Sequence, residues 1–186
     1  VAGDIDNALE RADTEQFTRR PPVTPLAQMR LLMKAEKGST KAVAGRLGVT
    51  QRTVERYLTG QRKRPRAALR DALVREAAKV WQPGVRRQAR KRAATSTGIT
   101  IETRARFGYT APVGTSDDPR ERRLTVHLPP AYAARLFEAQ QQGAGDQQLR
   151  GIVAEGLQDV YFQDNGQRAQ GLEVEITDIA YFDVKF

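Results

Sequence analysis

Four apolar side chains, Leu26, Met29, Leu32 and Met33, recur at helical spacing behind Pro25 and ahead of Gly38. That spacing predicts a helix over 25–38, with a proline in its first turn and a glycine at its end. The next stretch, "STKAVAGRLGVTQRTVERYLTGQ" at 39–61, holds two shorter apolar stripes. Val43 and Leu47 share one helix face, and Ala44 is small where a second helix must approach. Gly48 permits a left-handed turn, Val49 packs beneath it, and Thr50 is placed to cap the next helix. Val54, Tyr57 and Leu58 then turn inward, while Gln51, Arg52, Thr53, Glu55 and Arg56 point away. This is a helix-turn-helix pattern, in which the second helix enters the major groove of DNA. Another helix, 66–81, turns Leu69, Leu73, Ala77 and Val80 inward, with Trp81 closing the core and Pro83 breaking the chain. "VRRQARKRAATSTG", 85–98, reads as a basic helix or arm that ends in a flexible polar stretch.

Beyond residue 98 the period changes. Ile99 and Ile101 alternate in a β-prone stretch over 98–108, and Leu124, Val126 and Leu128 alternate with Arg123, Thr125 and His127 in 122–130. Helices are expected at 131–142, with Tyr132, Leu136 and Phe137, and at 146–162, with Leu149, Ile152, Val153, Leu157 and Val160. "GLEVEITDIAYFDVKF", 171–186, reads as two further strands around Thr177-Asp178. The expected fold is α+β in two domains. Residues 1–96 form an all-helical helix-turn-helix domain with a basic arm. Residues 97–186 form an antiparallel sheet with two helices on one face, and carry a long loop at 108–121 between strands that pair as a hairpin.

Charge sharpens this division. The 186-residue chain has net charge +9, and residues 41–95 hold sixteen Lys/Arg against Glu55, Asp71 and Glu76. Residues 96–186 hold nine basic and thirteen acidic side chains. The basicity belongs to the helix-turn-helix module, whose natural partner is a polyanion bound in a salt-dependent way. Candidate DNA-binding residues are Thr50, Gln51, Arg52, Thr53 and Arg56 on the second helix of the motif, with Arg62, Lys63 and Arg64 as a phosphate clamp. Arginine pairs well with guanine and glutamine with adenine. No cysteine is present, so disulfides, thiolate nucleophiles and zinc fingers are excluded. Mean hydropathy is −0.60, no apolar run approaches the ~20 residues of a membrane span, and the acidic N-terminal segment does not read as a signal peptide. A cytoplasmic protein is expected.

Little else in the chain suggests chemistry. His127 is the sole histidine and sits on the polar side of a strand, with no triad or metal pattern around it. Asp117, Asp118 and Glu121 offer oxygen donors for a hard cation, but such residues more often solvate a loop, and no metal site is expected. The loop "GYTAPVGTSDDPRE", 108–121, carries hydroxyls at Tyr109, Thr110, Thr115 and Ser116. Loops of this length in compact domains are often functional. On composition alone this one reads as a plain solvated connection.

Several long stretches carry a resemblance: "LLMKAEKGSTKAVAGRLGVTQRTVERY", "ETRARFGYTAPVGTSDD", "RRLTVHLPPAYAARLF" and "LEVEITDI". Along its length the chain resembles the terminal proteins of linear Streptomyces chromosomes and plasmids, the telomere-capping Tpg family. The resemblance implies a protein joined covalently to the 5′ end of telomeric DNA. A threonine hydroxyl takes the place of a primer 3′-OH, accepts the first deoxynucleotide, and so primes the synthesis that patches the recessed end. The matching threonine falls in "GTSDD" and is assigned to Thr115, with Ser116 as the fallback. The protein is then a nucleotide acceptor and not an enzyme. It needs no cofactor of its own, only the polymerase-bound divalent metal and the dNTP. Implied partners are telomeric DNA, a telomere-associated DNA-binding protein and a DNA polymerase, with nucleoid-associated localisation at DNA ends; a homodimer is left open. The alternative is a helix-turn-helix transcriptional regulator whose C-terminal half dimerises. Residues 122–162 echo a strand–helix–helix DNA-binding module that pairs its strands. A nuclease or ligase of DNA ends would need a carboxylate, histidine or lysine cluster, for which the sequence offers only 117–121.

Overall fold

A computed structural model of the chain describes residues 3–110, 120–169 and 171–186. The described residues form eight α-helices and a three-stranded antiparallel sheet. By packing they fall into two compact units, Phe17–Val85 and Val1–Gln16 with Arg86–Phe186. The sequence reading instead places everything before residue 96 together.

The first unit contains α2 (Pro25–Ala35), α3 (Thr40–Leu47), α4 (Gln51–Leu58) and α5 (Ala67–Val80). Its core is Met29, Leu32, Val43, Ala44, Leu47, Val54, Tyr57, Ala72 and Leu73, with Met33, Val49, Leu58, Leu69 and Val80 packed around it. These are the stripes that the helical period predicts. Trp81 is half-buried, and its Nε1 donates to the Arg19 carbonyl at 2.9 Å, so it serves the unit's packing. The unit holds sixteen basic and four acidic residues, so its net charge is +12. The remaining residues carry −3.

The second unit is built on the sheet, with strand order β2-β1-β3. Strands β1 (Ile99–Thr110) and β2 (Arg120–Leu128) form the expected hairpin, in unbroken register from Ile99↔Leu128 to Phe107↔Arg120. Both strands reach further than the sequence suggests, so the connection between them narrows from 108–121 to 111–119. Ile99, Ile101, Ala105, Phe107, Leu124, Val126 and Leu128 turn to the buried face. The two strands expected around Thr177-Asp178 are one, β3 (Glu173–Lys185). It pairs with β1 from Thr100↔Lys185 to Thr110↔Glu173 and takes up its mismatch in two register shifts. No turn forms at Thr177, whose Oγ1 instead donates to the Arg106 carbonyl at 3.1 Å and stitches one irregularity closed.

The expected helices are α7 (Pro130–Gln141) and α8 (Asp146–Leu157), the latter continued by a π turn at Gln158–Phe162. A third helix joins them on the buried face. In α1 (Asp4–Glu15), Ile5, Ala8, Leu9 and Ala12 enter the same core as the sheet. Arg11 donates to the Phe182 carbonyl and Gln16 to the Phe186 carbonyl, each at 2.7 Å.

Helix α6 (Pro83–Arg92) refines one expectation and corrects another. The chain does break before Pro83, since α5 ends at Val80, but Pro83 itself occupies the first position of a further helix, where its missing N–H costs nothing. The stretch after it is a π turn, Ala93–Thr97, with Ala93 fully buried and packed among α7 and the sheet residues, so it is no flexible linker. Gly98 follows with φ +68°, and a Cβ there would collide with the Leu128 carbonyl oxygen.

Candidate nucleic-acid interface

The pair of helices α3 and α4 is assembled by its caps. Ser39 Oγ accepts from Ala42 N at 3.1 Å to open α3. Gly48 ends α3 in the left-handed region, at φ +65°, and Val49 N donates back to the Ala44 carbonyl at 3.0 Å. Thr50 Oγ1 accepts from Thr53 N at 3.3 Å to open α4, and the two threonine hydroxyls lie 2.9 Å apart. Val54 and Tyr57 anchor α4 in the core, which commits the opposite face to solvent.

The exposed residues of α4 are not equivalent. Gln51 Nε2 donates to Thr40 Oγ1 at 2.9 Å and to Glu55 Oε1 at 3.1 Å, so it braces the two helices of the motif. Thr50 and Thr53 are occupied with capping. Arg52 is exposed and Arg56 half-buried, one helical turn apart, and neither guanidinium has a protein partner among the described residues. The basic turn after α4 is held to it. Arg62 N donates to the Arg56 carbonyl at 3.0 Å, and the Tyr57 hydroxyl donates to the Arg64 carbonyl at 3.2 Å. Arg62, Lys63 and Arg64 are all exposed there. Cationic side chains on a backbone pinned to α4 suit phosphate contacts beside a helix seated in a groove.

Behind this surface lies a feature that sequence reasoning misses. Arg46 on α3 donates from Nε to Glu76 and from an Nη to Glu36, each at 2.7 Å. Burial disfavours the charged guanidinium, but hydrogen bonds to Glu76 and Glu36 outweigh it and hold its pKa above the ordinary arginine value. This pair of bridges ties α3 to α5 and to the end of α2. No short-range signal marks it, because Glu36 and Glu76 lie far apart in the chain.

The basic arm at 85–98 divides. Asp13 on α1 is almost wholly buried and accepts from Arg86 at 2.6 Å and from Arg90 at 2.9 and 2.7 Å. Arg90 also donates to Gln140 and lies over the Phe137 ring, 4.9 Å from its centroid. Two arginines that look free for a DNA backbone are therefore structural. Arg87, Lys91 and Arg92 remain exposed.

Thr115 and Ser116 lie outside the described residues, as do Asp117 and Asp118. The strand ends that flank them are described. Thr110 is exposed. The Tyr109 ring packs on Phe162 with centroids 5.3 Å apart, Arg122 lies over both rings, and the Tyr109 hydroxyl is buried, which removes it as an accessible acceptor. His127 is exposed, with Nδ1 3.2 Å from Thr100 Oγ1. Glu121 is exposed on β2, and no group of three residues able to hold a metal exists among the described residues. No helix among them is long and apolar enough to cross a membrane. No family model, curated protein or solved structure matches the chain.

Proposed function

We propose that this protein is a DNA-end terminal protein: it binds duplex DNA through α3 and α4, and the Thr115 hydroxyl primes DNA synthesis. The observation that carries the DNA-binding part is the state of α4. Arg52 and Arg56 are unengaged by protein, beside a pinned run of Arg62, Lys63 and Arg64, in a unit of charge +12. The priming part rests on the resemblance at "GTSDD" and on the position of Thr115 in the connection between two paired strands.

The reaction asks little of the protein. Thr115 Oγ attacks the α-phosphorus of a dNTP in line and gives up its proton to solvent. A phosphoester to the threonine forms, the bond to the leaving oxygen breaks, and pyrophosphate departs. Two metals held by the polymerase stabilise both oxygens. The two packed units act as separate domains, one reading DNA and one presenting the hydroxyl.

The test is transfer of a labelled deoxynucleotide to the purified chain by its polymerase and telomere complex, followed by peptide mapping. Label should map to Thr115, and Thr115→Ala should abolish it while DNA affinity is kept. Labelled Thr115→Ala moves the acceptor to Ser116 and then Thr110. Wild-type protein that is never labelled, yet binds a specific duplex, leaves the transcriptional regulator as the function.

A further inference from the structure

The sheet has two edges, and the protein treats them differently. Along β3 the register shifts twice opposite β1. Arg11 donates to the Phe182 carbonyl, and Gln158 Oε1 accepts from Val174 N at 2.9 Å. Bulges and side-chain caps of this kind blunt an edge strand. Strand β2 has neither. It pairs with β1 without interruption over Arg120–Phe107 to Leu128–Ile99, contains no proline, and its outward backbone groups have no hydrogen-bond partner among the described residues. Such an edge is a template for strand addition.

We propose that the occupant is β2 of a second copy of this chain, paired antiparallel about Leu124. That register places Arg120 against Leu128 of the other copy, Glu121 against His127, Arg122 against Val126 and Arg123 against Thr125. The charged first half of each strand thus meets the uncharged second half of the other. The strand's sole acid faces the chain's sole histidine, and no like charges are opposed. Neighbouring registers do worse. A slip of one residue turns the apolar positions to the wrong face. A slip of two sets Arg123 against its own copy in one direction and against His127 in the other. The resulting contact is isologous, with a two-fold axis at Leu124. This inference does not depend on the DNA-end reading.

Because the chain has no cysteine, the register can be read directly in the full-length protein. Arg123→Cys and Thr125→Cys proteins are prepared separately, mixed under mild oxidation, and scored for disulfide-linked dimer. The mixture should cross-link far more than either variant alone, since residues 123 and 125 face each other only between different copies. In sedimentation equilibrium, Thr125→Arg should weaken the dimer about five- to tenfold by opposing Arg123 twice, and Thr125→Glu should tighten it. Circular dichroism checks that both variants fold. A full chain that stays monomeric at about 100 μM overturns the proposal. So does stronger cross-linking of either single variant, or an equal response to Thr125→Arg and Thr125→Glu.

Discussion

Asp13 is the sharpest point at which to test how the sheet unit is held together. Its carboxylate has 2% exposure and accepts three hydrogen bonds from guanidinium groups that are 21% and 14% exposed. Asp13→Asn keeps the shape but removes the buried carboxylate that Arg86 and Arg90 share. Breaking a buried pair by removing one partner costs about 3–5 kcal/mol. The partial exposure of both arginines, and the hold that Gln140 and Phe137 keep on Arg90, favour the lower end, about 3 kcal/mol. For a unit of this size that corresponds to a fall in Tm of roughly 10 °C. Trp81 is the chain's only tryptophan and lies in the Phe17–Val85 unit, so its fluorescence reports that unit's unfolding. Far-UV circular dichroism reports both units. In urea, Asp13→Asn should move the dichroism transition of the sheet unit to lower concentration and leave the tryptophan transition in place. Adding Arg86→Met and Arg90→Met should recover much of the loss, because the two guanidinium groups that lost the shared carboxylate are then gone. A loss below about 1 kcal/mol would refute the reasoning that these arginines are structural, since removing one partner of a buried ion pair costs more than that. An equal shift of both transitions would show that the units do not unfold separately.

Three further outcomes are expected. Arg52→Ala should reduce preference for the specific duplex by about 1–3 kcal/mol, while Gln51→Ala, already engaged with Thr40 and Glu55, should cost less than about 1 kcal/mol; titrations on specific and random duplexes at several salt concentrations check both. Gly98→Ala should destabilise the sheet unit by about 3 kcal/mol or more, measured by denaturant titration, because the added Cβ meets the Leu128 carbonyl oxygen at a positive φ. Limited trypsin digestion should cut after the exposed Arg19, in the irregular stretch after α1, before it cuts at Arg92, where the chain runs into the buried π turn; peptide mapping of the first fragments decides between them.

Much of the helical unit was legible because its determinants are local. Apolar spacing, Gly48 and the cap at Thr50 lie within a few residues of what they specify. The hairpin of β1 and β2 was legible for the same reason: Ile99, Ile101, Leu124, Val126 and Leu128 alternate, and the two strands are neighbours in the chain. The candidate DNA-contacting residues could be narrowed to a face of α4, since Val54 and Tyr57 set which side is buried.

What the tertiary structure decided involves partners distant in sequence. The assignment of α1 to the sheet depends on Arg86, Arg90 and Phe182. Asp13 follows Ile5 and Leu9 at helical spacing, so a polar residue on the apolar stripe was the available clue, but its counter-charges lie more than seventy residues away. The single strand β3 was misread as two because Thr177-Asp178 has turn composition. Pairing with the whole of β1 satisfies more backbone groups than a turn would, and bulges absorb the residues that do not fit. The sequence alone determined which residues are basic; only packing decided which of them are free. Arg46, Arg86 and Arg90 are consumed by buried or half-buried carboxylates, and Arg52, Arg56 and Arg62 to Arg64 are left facing solvent, because ion pairing depends on distances in space that local spacing does not encode.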